Sequence, residues 1–254
     1  MMPMFEIPLF VFVSISLAYL VLGITGFGSA LIAVPLLLQF MPLGEAVPLV
    51  LWLDVIALVV FNSLNLKHID WPIWKQMLPS IVLGVVSAAL AVHFFQLPAH
   101  WLLLVLGAYI VWFGATKLLA EWRPATQKAP LTQHGFWSVA PFGWMAGVIE
   151  TLFGTCGPIV ATGILRQSSN MSLFKATMSA VMLPTALMAL STYVIAGSRS
   201  DSELTRALWL TPVAIVFVWL GNFLGKKVPQ QATRRAVFGL LIASGFVLMV
   251  KALR

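Results

Sequence analysis

From Ile7 to Gly44 the chain carries no charged side chain, and Gly23-Ile24-Thr25-Gly26-Phe27-Gly28 interrupts that run. An apolar stretch of this length belongs in lipid, where backbone N–H and C=O groups must be satisfied within the chain, so it has to be helical. Glycine weakens a helix and permits backbone turns closed to other residues. The run is therefore predicted to hold two helical pieces with bare backbone between them, a state tolerated in a membrane only where protein or a water-filled cavity covers it. A second break, Phe153-Gly154-Thr155-Cys156-Gly157-Pro158, falls in residues 129–165, whose one charge is Glu150. Two broken apolar segments at corresponding places in two halves mark a transporter's binding site.

Composition supports the lipid assignment. The 254 residues are 60% hydrophobic and 9% charged, far from the roughly 25% charged residues of soluble domains. Mean hydropathy is +0.97. The length suits about eight spans of about 20 residues with short loops and leaves no room for a soluble domain. The formal charge of +7 reflects lysines and arginines in loops, so no nucleic-acid partner is expected. The N-terminus lacks the basic segment of a cleaved leader, so the first run is expected to be retained. Trp71, Trp74, Trp101, Trp122 and Trp137 lie near segment ends, as an interfacial aromatic belt requires.

The two halves read as a repeat. A shift of 126 lays Phe27 on Phe153, Gly28 on Gly154 and Ser29 on Thr155; shifts of 130, 131 and 133 lay Ala46 on Ala176, Pro98 on Pro229 and Pro79 on Pro212. The expected division is a first transmembrane repeat over 1–120, a cytoplasmic linker over 121–134 and a second repeat over 135–254. Basic residues set the orientation. Lys67 and Lys75, then Lys117, Arg123 and Lys128, then Arg166 and Lys175, then Lys226, Lys227, Arg234 and Arg235 mark cytoplasmic segments. With the linker and 166–175 on one side, the second broken segment must begin and end there, as a hairpin. The repeat logic makes 7–41 a hairpin too, with both termini outside. The expected fold is an all-α polytopic helical bundle of two inverted repeats, each opening with a glycine-broken re-entrant or hairpin segment.

Gly26-Phe27-Gly28-Ser29-Ala30 with Val34-Pro35, Gly154-Thr155-Cys156-Gly157, and the later Ala46-Val47-Pro48-Leu49 and Ala176-Thr177-Met178-Ser179 resemble the paired elements of the sulfite exporter TauE/SafE family, also called the 4-toluene sulfonate uptake permease family. The layout matches over nearly the whole chain. The resemblance implies transport of small anions, commonly sulfite, sulfonates or other organosulfur compounds, by a multi-pass protein of the bacterial inner membrane.

The residues suggest how an anion is held. Unwound backbone offers N–H groups, and a helix that starts there presents the positive end of its dipole. Gly26, Phe27, Gly28 and Ser29 in the first break, and Gly154, Thr155, Cys156 and Gly157 in the second, are the expected substrate-binding residues. Ser29 and Thr155 would add hydroxyl donors. Close helix packing through small residues is the competing account of the glycines. Asp54 and Glu150 are the acids placed inside apolar runs, and a carboxyl at such depth is protonated, paired or facing water. Both are proton-coupling candidates, the competing account being a carboxyl that caps broken backbone. Asn62, Thr177 and Asn222 are candidates for polar support, either to freed backbone or to substrate. Cys156, the one cysteine, reads as a small packing residue. His93 and His100 flank a turn, so no metal is expected, and no cofactor either. No catalytic or nucleotide-binding motif is present, which argues against an enzyme. The expected partners are a small organosulfur or carboxylate anion and the lipid bilayer, with a homo-oligomer left open. The same residues allow two alternatives: a channel or facilitator for anions, and an intramembrane sulfur-handling protein centred on Cys156.

Overall fold

The computed structural model describes residues 9–64, 68–95, 98–122, 136–165, 171–196, 201–225, 239, 242–243 and 245–253. Among these the regular elements are helices: α1 (Leu9–Thr25), α2 (Ser29–Leu37), α3 (Leu43–Ser63), α4 (Trp71–Phe95), α5 (Ala99–Trp122), α6 (Phe136–Phe153), α7 (Gly157–Leu165), α8 (Met171–Ile195) and α9 (Asp201–Leu224). Residues 245–252 are helical as well. Helices α3, α4, α8 and α9 each contain a stretch long and apolar enough to cross a membrane. The basic cluster 226–235 and almost all of the linker lie outside the described residues.

Both expected breaks are present, and the same device makes them. Gly26 and Gly154 stand at φ 84° and 67°, in the left-handed region that a Cβ disfavours. Each donates its N–H back to the last turn, Gly26 to Leu22 and Gly154 to Glu150, both at 2.7 Å. This is the left-handed ending common at helix C-termini. Gly28 then adopts φ 95° and serves as the N-cap of α2, which brings no capping side chain.

The chain doubles back at each break. The Phe10 ring, in the first turn of α1, lies 4.6 Å from the Phe40 ring beyond the end of α2. In the second segment, a methyl group added to Gly163 of α7 would stand 3.0 Å from Cβ of Phe142 in α6. Both segments fold back as hairpins.

Each hairpin is fastened by the opposite half. Helix α1 packs along α9, α6 packs along α4, and α3 packs on α8 between them. Glycines set the first two crossings. A Cβ on Gly23 would fall 2.3 Å from the Val218 carbonyl oxygen, and one on Gly221 would fall 2.2 Å from that of Leu20. A Cβ on Gly147 would fall 2.3 Å from the Ile81 carbonyl oxygen, and one on Gly84 would fall 2.1 Å from that of Trp144. Backbone touches backbone, which is how membrane helices gain dispersion contact where lipid supplies no hydrophobic drive. Residues facing lipid are large and apolar: Phe94, Trp112 and Trp137 are 72%, 65% and 84% exposed. Trp71 and Trp101 also face outward, as expected of a belt, whereas Trp74 donates its indole N–H to the Ala180 carbonyl at 2.9 Å.

Candidate functional site

A turn joins α2 to α3, and the two helices pack together. Ser29 opens α2, and Asp54 lies near the middle of α3. Their distances along the chain from that turn are nearly equal, so they meet. The Ser29 hydroxyl donates to Asp54 Oδ1 at 2.7 Å. The Tyr19 hydroxyl, from α1, donates to the same oxygen at 2.7 Å and lies 3.3 Å from the Val50 carbonyl. Three elements are tied to one oxygen of a fully buried carboxyl, and its second oxygen, Oδ2, has no partner.

The second hairpin repeats the theme with different parts. Glu150 lies one turn before Gly154, and its Oε2 accepts the Cys156 backbone N–H at 2.7 Å. The side chain is fully buried, and Oε1 has no partner. The Thr155 hydroxyl and the Tyr109 hydroxyl of α5 are buried and unpartnered too. Tyr109 lies within electrostatic reach of Glu150 and Cys156, and the two carboxyls are within reach of each other.

The two breaks converge. A methyl group on Gly157 would stand 3.2 Å from Cδ2 of Phe27, and one on Gly154 would stand 3.4 Å from Cγ1 of Val47, with Leu51 beyond. The second break thus rests on the same stretch of α3 that carries Asp54. Gly28 is buried, yet a Cβ added to it would meet nothing within 4 Å. There is open space beside the first break, inside the protein. The uncapped N-terminus of α2 begins at that point.

Other sequence candidates fall elsewhere. Asn62 donates to the Ser179 carbonyl at 3.2 Å and accepts the Ser179 hydroxyl at 2.6 Å. The Thr177 hydroxyl oxygen accepts the Asp70 backbone N–H at 2.8 Å. Both tie the end of α3 and the start of α4 to α8, about two turns along α3 from Asp54. Asn222 lies at the α1–α9 crossing, where its backbone nitrogen faces Gly23. Ser29 has its hydroxyl committed to Asp54, and the Cys156 N–H is committed to Glu150, so neither is an idle donor. The Cys156 side chain is fully buried, with its thiol beside the Glu150 carboxyl.

Sequence reasoning missed the tyrosines and Lys175. The chain has three tyrosines: the Tyr19 hydroxyl donates to Asp54, Tyr109 lies within electrostatic reach of Cys156 and Glu150, and the Tyr193 hydroxyl donates to the Thr151 carbonyl at 3.0 Å. A buried phenol in lipid needs a partner, and that was the available signal. Lys175, expected in a loop, belongs to α8; its Nζ donates to the Ile24 carbonyl at 3.0 Å, at the tip of the first hairpin.

Two broken hairpins that meet inside a helical bundle, with unpartnered polar atoms and open space at the meeting point, define a membrane transporter. Comparison with known proteins agrees. The chain matches the family profile described as sulfite exporter TauE/SafE over residues 11–248, and it belongs to that family. It is 34% identical over 202 residues to a Comamonas testosteroni protein named "Probable inner membrane transporter protein TsaS", covering 79% of this chain and 81% of that one. It is 28% identical over 195 residues to a Cupriavidus necator protein named "Probable sulfite/organosulfonate exporter TauE", covering 74% and 72%. No solved structure matches it significantly.

Proposed function

We propose that the protein is a secondary transporter of the inner membrane that moves small anions, namely sulfite, sulfonates or related organosulfur compounds. The observation that carries this reading is the open space beside buried Gly28, where the uncapped start of α2 meets the second break. A helix N-terminus favours an anion through its free N–H groups and its dipole. Thr155 Oγ and Tyr109 OH, buried without partners, supply further hydrogen-bonding capacity. Asp54 and Glu150 are the proposed proton carriers. Relatives named as an inner membrane transporter and as a sulfite/organosulfonate exporter support the substrate class and the location.

The proposed cycle uses inverted repeats over 1–120 and 135–254 joined by the linker 121–134. Three registers support inversion. The Phe10–Phe40 contact opens the first hairpin on the side where α3 begins. Helix α4 starts on the far side, and α6 runs parallel to it, since Met77 and Ser80 face Gly143 while Ile81 and Val85 face Gly147. Helix α1 likewise runs parallel to α9, with Ile24 beside Gly225 at the end of that helix. Positive charge puts the α4 and α6 starts in the cytoplasm. In a Cys156→Ala background, Phe40→Cys is expected to react with an impermeant maleimide added outside intact cells, and Leu64→Cys is not. Equal labelling at both positions would remove the inverted topology.

Thermal unfolding of the purified protein with sulfite, thiosulfate, methanesulfonate, 4-toluenesulfonate or acetate tests the substrate class. A bound anion at a hundred times its Kd is expected to add about 2.7 kcal/mol. A flat response to every sulfur anion would end this reading. Flux through reconstituted protein that ignores a proton gradient would make it a facilitator.

A further inference from the structure

The partner pattern of the two buried carboxyls bears on how protons and anion share the site. In Asp54 one oxygen accepts two hydrogen bonds, from Ser29 and Tyr19, and Oδ2 has none. In Glu150 one oxygen accepts the Cys156 N–H, and Oε1 has none. This is the division expected of a carboxylic acid: a carbonyl oxygen that accepts, and a hydroxyl whose proton is still available to donate. Among the described residues neither acid has an ion-pair partner; the described pair is Arg206 with Glu45, near the starts of α9 and α3. Lys175 of α8 donates to the Ile24 carbonyl. The other titratable groups facing the two acids are Tyr19, Tyr109, Cys156 and each other, and none of them brings a positive charge.

We infer that the anion and protons occupy the site together: Asp54 and Glu150 take up protons as the anion enters, and transport is proton–anion cotransport. The inference rests on the anion-transporter reading and gives its coupling a sign. Ionised, the two carboxylates repel an anion across a medium that screens poorly. Protonated, each offers an O–H donor, so repulsion becomes attraction. A neutral carboxylic acid used as a hydrogen-bond donor is an attested device. Proton binding and anion binding therefore reinforce each other, and linkage makes that reciprocal. A proton-for-anion exchange would need anion entry to expel protons, the opposite sign, because an anion beside these carboxyls favours their protonated form. Protons come from bulk water on the side where the site is open, and they leave with the anion on the other side.

The test uses methanesulfonate and 4-toluenesulfonate, whose single negative charge does not change across the pH range. Their affinity for the purified full chain is measured by calorimetry between about pH 5 and pH 8, in two buffers of different ionisation enthalpy. The expected result is net proton uptake on binding and a Kd that tightens about tenfold for each pH unit lowered, or up to about a hundredfold if both acids titrate together. The double variant Asp54→Asn, Glu150→Gln keeps donors in place of the hydroxyls. It is expected to bind at high pH as the wild type binds at low pH, with no proton uptake. Proton release on binding, or a Kd that ignores pH, would overturn the inference while leaving the transporter reading intact. A wild-type pH slope surviving in the double variant would also overturn it. If neither sulfonate binds at any pH, the inference fails, and the transporter reading is decided separately by the unfolding response to sulfite and thiosulfate. If the double variant does not fold, proton uptake by the wild type decides alone.

Discussion

Anion transport is expected to disappear in Gly28→Val while the protein still inserts in the membrane. Gly28 sits at φ 95°, where a β-branched residue is strained by an amount on the order of 1–3 kcal/mol. That is a tolerable loss for a bundle of this size. Beyond its own chain neighbours, no protein atom lies within 4 Å of the added Cβ, so packing against the rest of the protein does not evict the side chain. The added methyls would instead occupy the volume in front of the α2 N–H groups. Gly154→Val is the companion variant: φ is 67° and the Val47 side chain is 3.4 Å away, so the second break also reshapes. Gly44→Val is the control, since Gly44 lies in the first turn of α3 with nothing within 4 Å and no unusual φ. Uptake into proteoliposomes, normalised to inserted protein, is the measurement. Wild-type rates in Gly28→Val and Gly154→Val would return these glycines to a backbone role.

A larger loss of stability is expected from Gly147→Leu. The first added carbon would lie 2.3 Å from the Ile81 carbonyl oxygen and 2.8 Å from the Val85 nitrogen. Both are helix backbone and cannot rotate away as a side chain does. Overpacking usually costs about 1–3 kcal/mol, and two immovable obstacles put this site at or beyond the top of that range. Gly221→Leu meets the equivalent obstacle at the Leu20 carbonyl oxygen, 2.2 Å away. Both variants are expected to lose folded protein in detergent, read as a lowered Tm or a shift to aggregate on size exclusion. Gly44→Leu should behave as wild type. Unchanged Tm in both crossing variants would mean that the helices separate freely.

The breaks and their hairpin form were legible because few residues tolerate positive φ, and Gly26, Gly28 and Gly154 advertise it. Asp54 and Glu150 were legible because a carboxyl in an apolar run is conspicuous. Their partners were not. Nothing in local spacing says that Tyr19 meets a residue on α3, or that Tyr109 of α5 turns towards the second break; those pairings depend on how helices cross. The crossings do leave a mark in the sequence. Gly143-Trp144-Met145-Ala146-Gly147 and Gly221-Asn222-Phe223-Leu224-Gly225 carry the small-residue spacing of close membrane-helix contacts. Asn62 and Thr177 were visible as polar residues in apolar runs, but the sequence could not say that they staple α3 and α4 to α8 and not the breaks.

The fastening of each hairpin by the other half has a consequence for biogenesis. Helix α1 is complete at Thr25, but the surface it packs on, α9, is complete only at Leu224. At about 5–20 residues per second of synthesis, the first hairpin waits on the order of 10–40 s in the bilayer with its glycine face bare. Glu150 and the second hairpin have a shorter wait, because α4 is already made when α6 emerges. The amino-terminal half produced alone therefore lacks the α9 surface that α1 packs on, whereas two halves produced as separate chains in one cell are expected to associate through the α1–α9 and α4–α6 crossings.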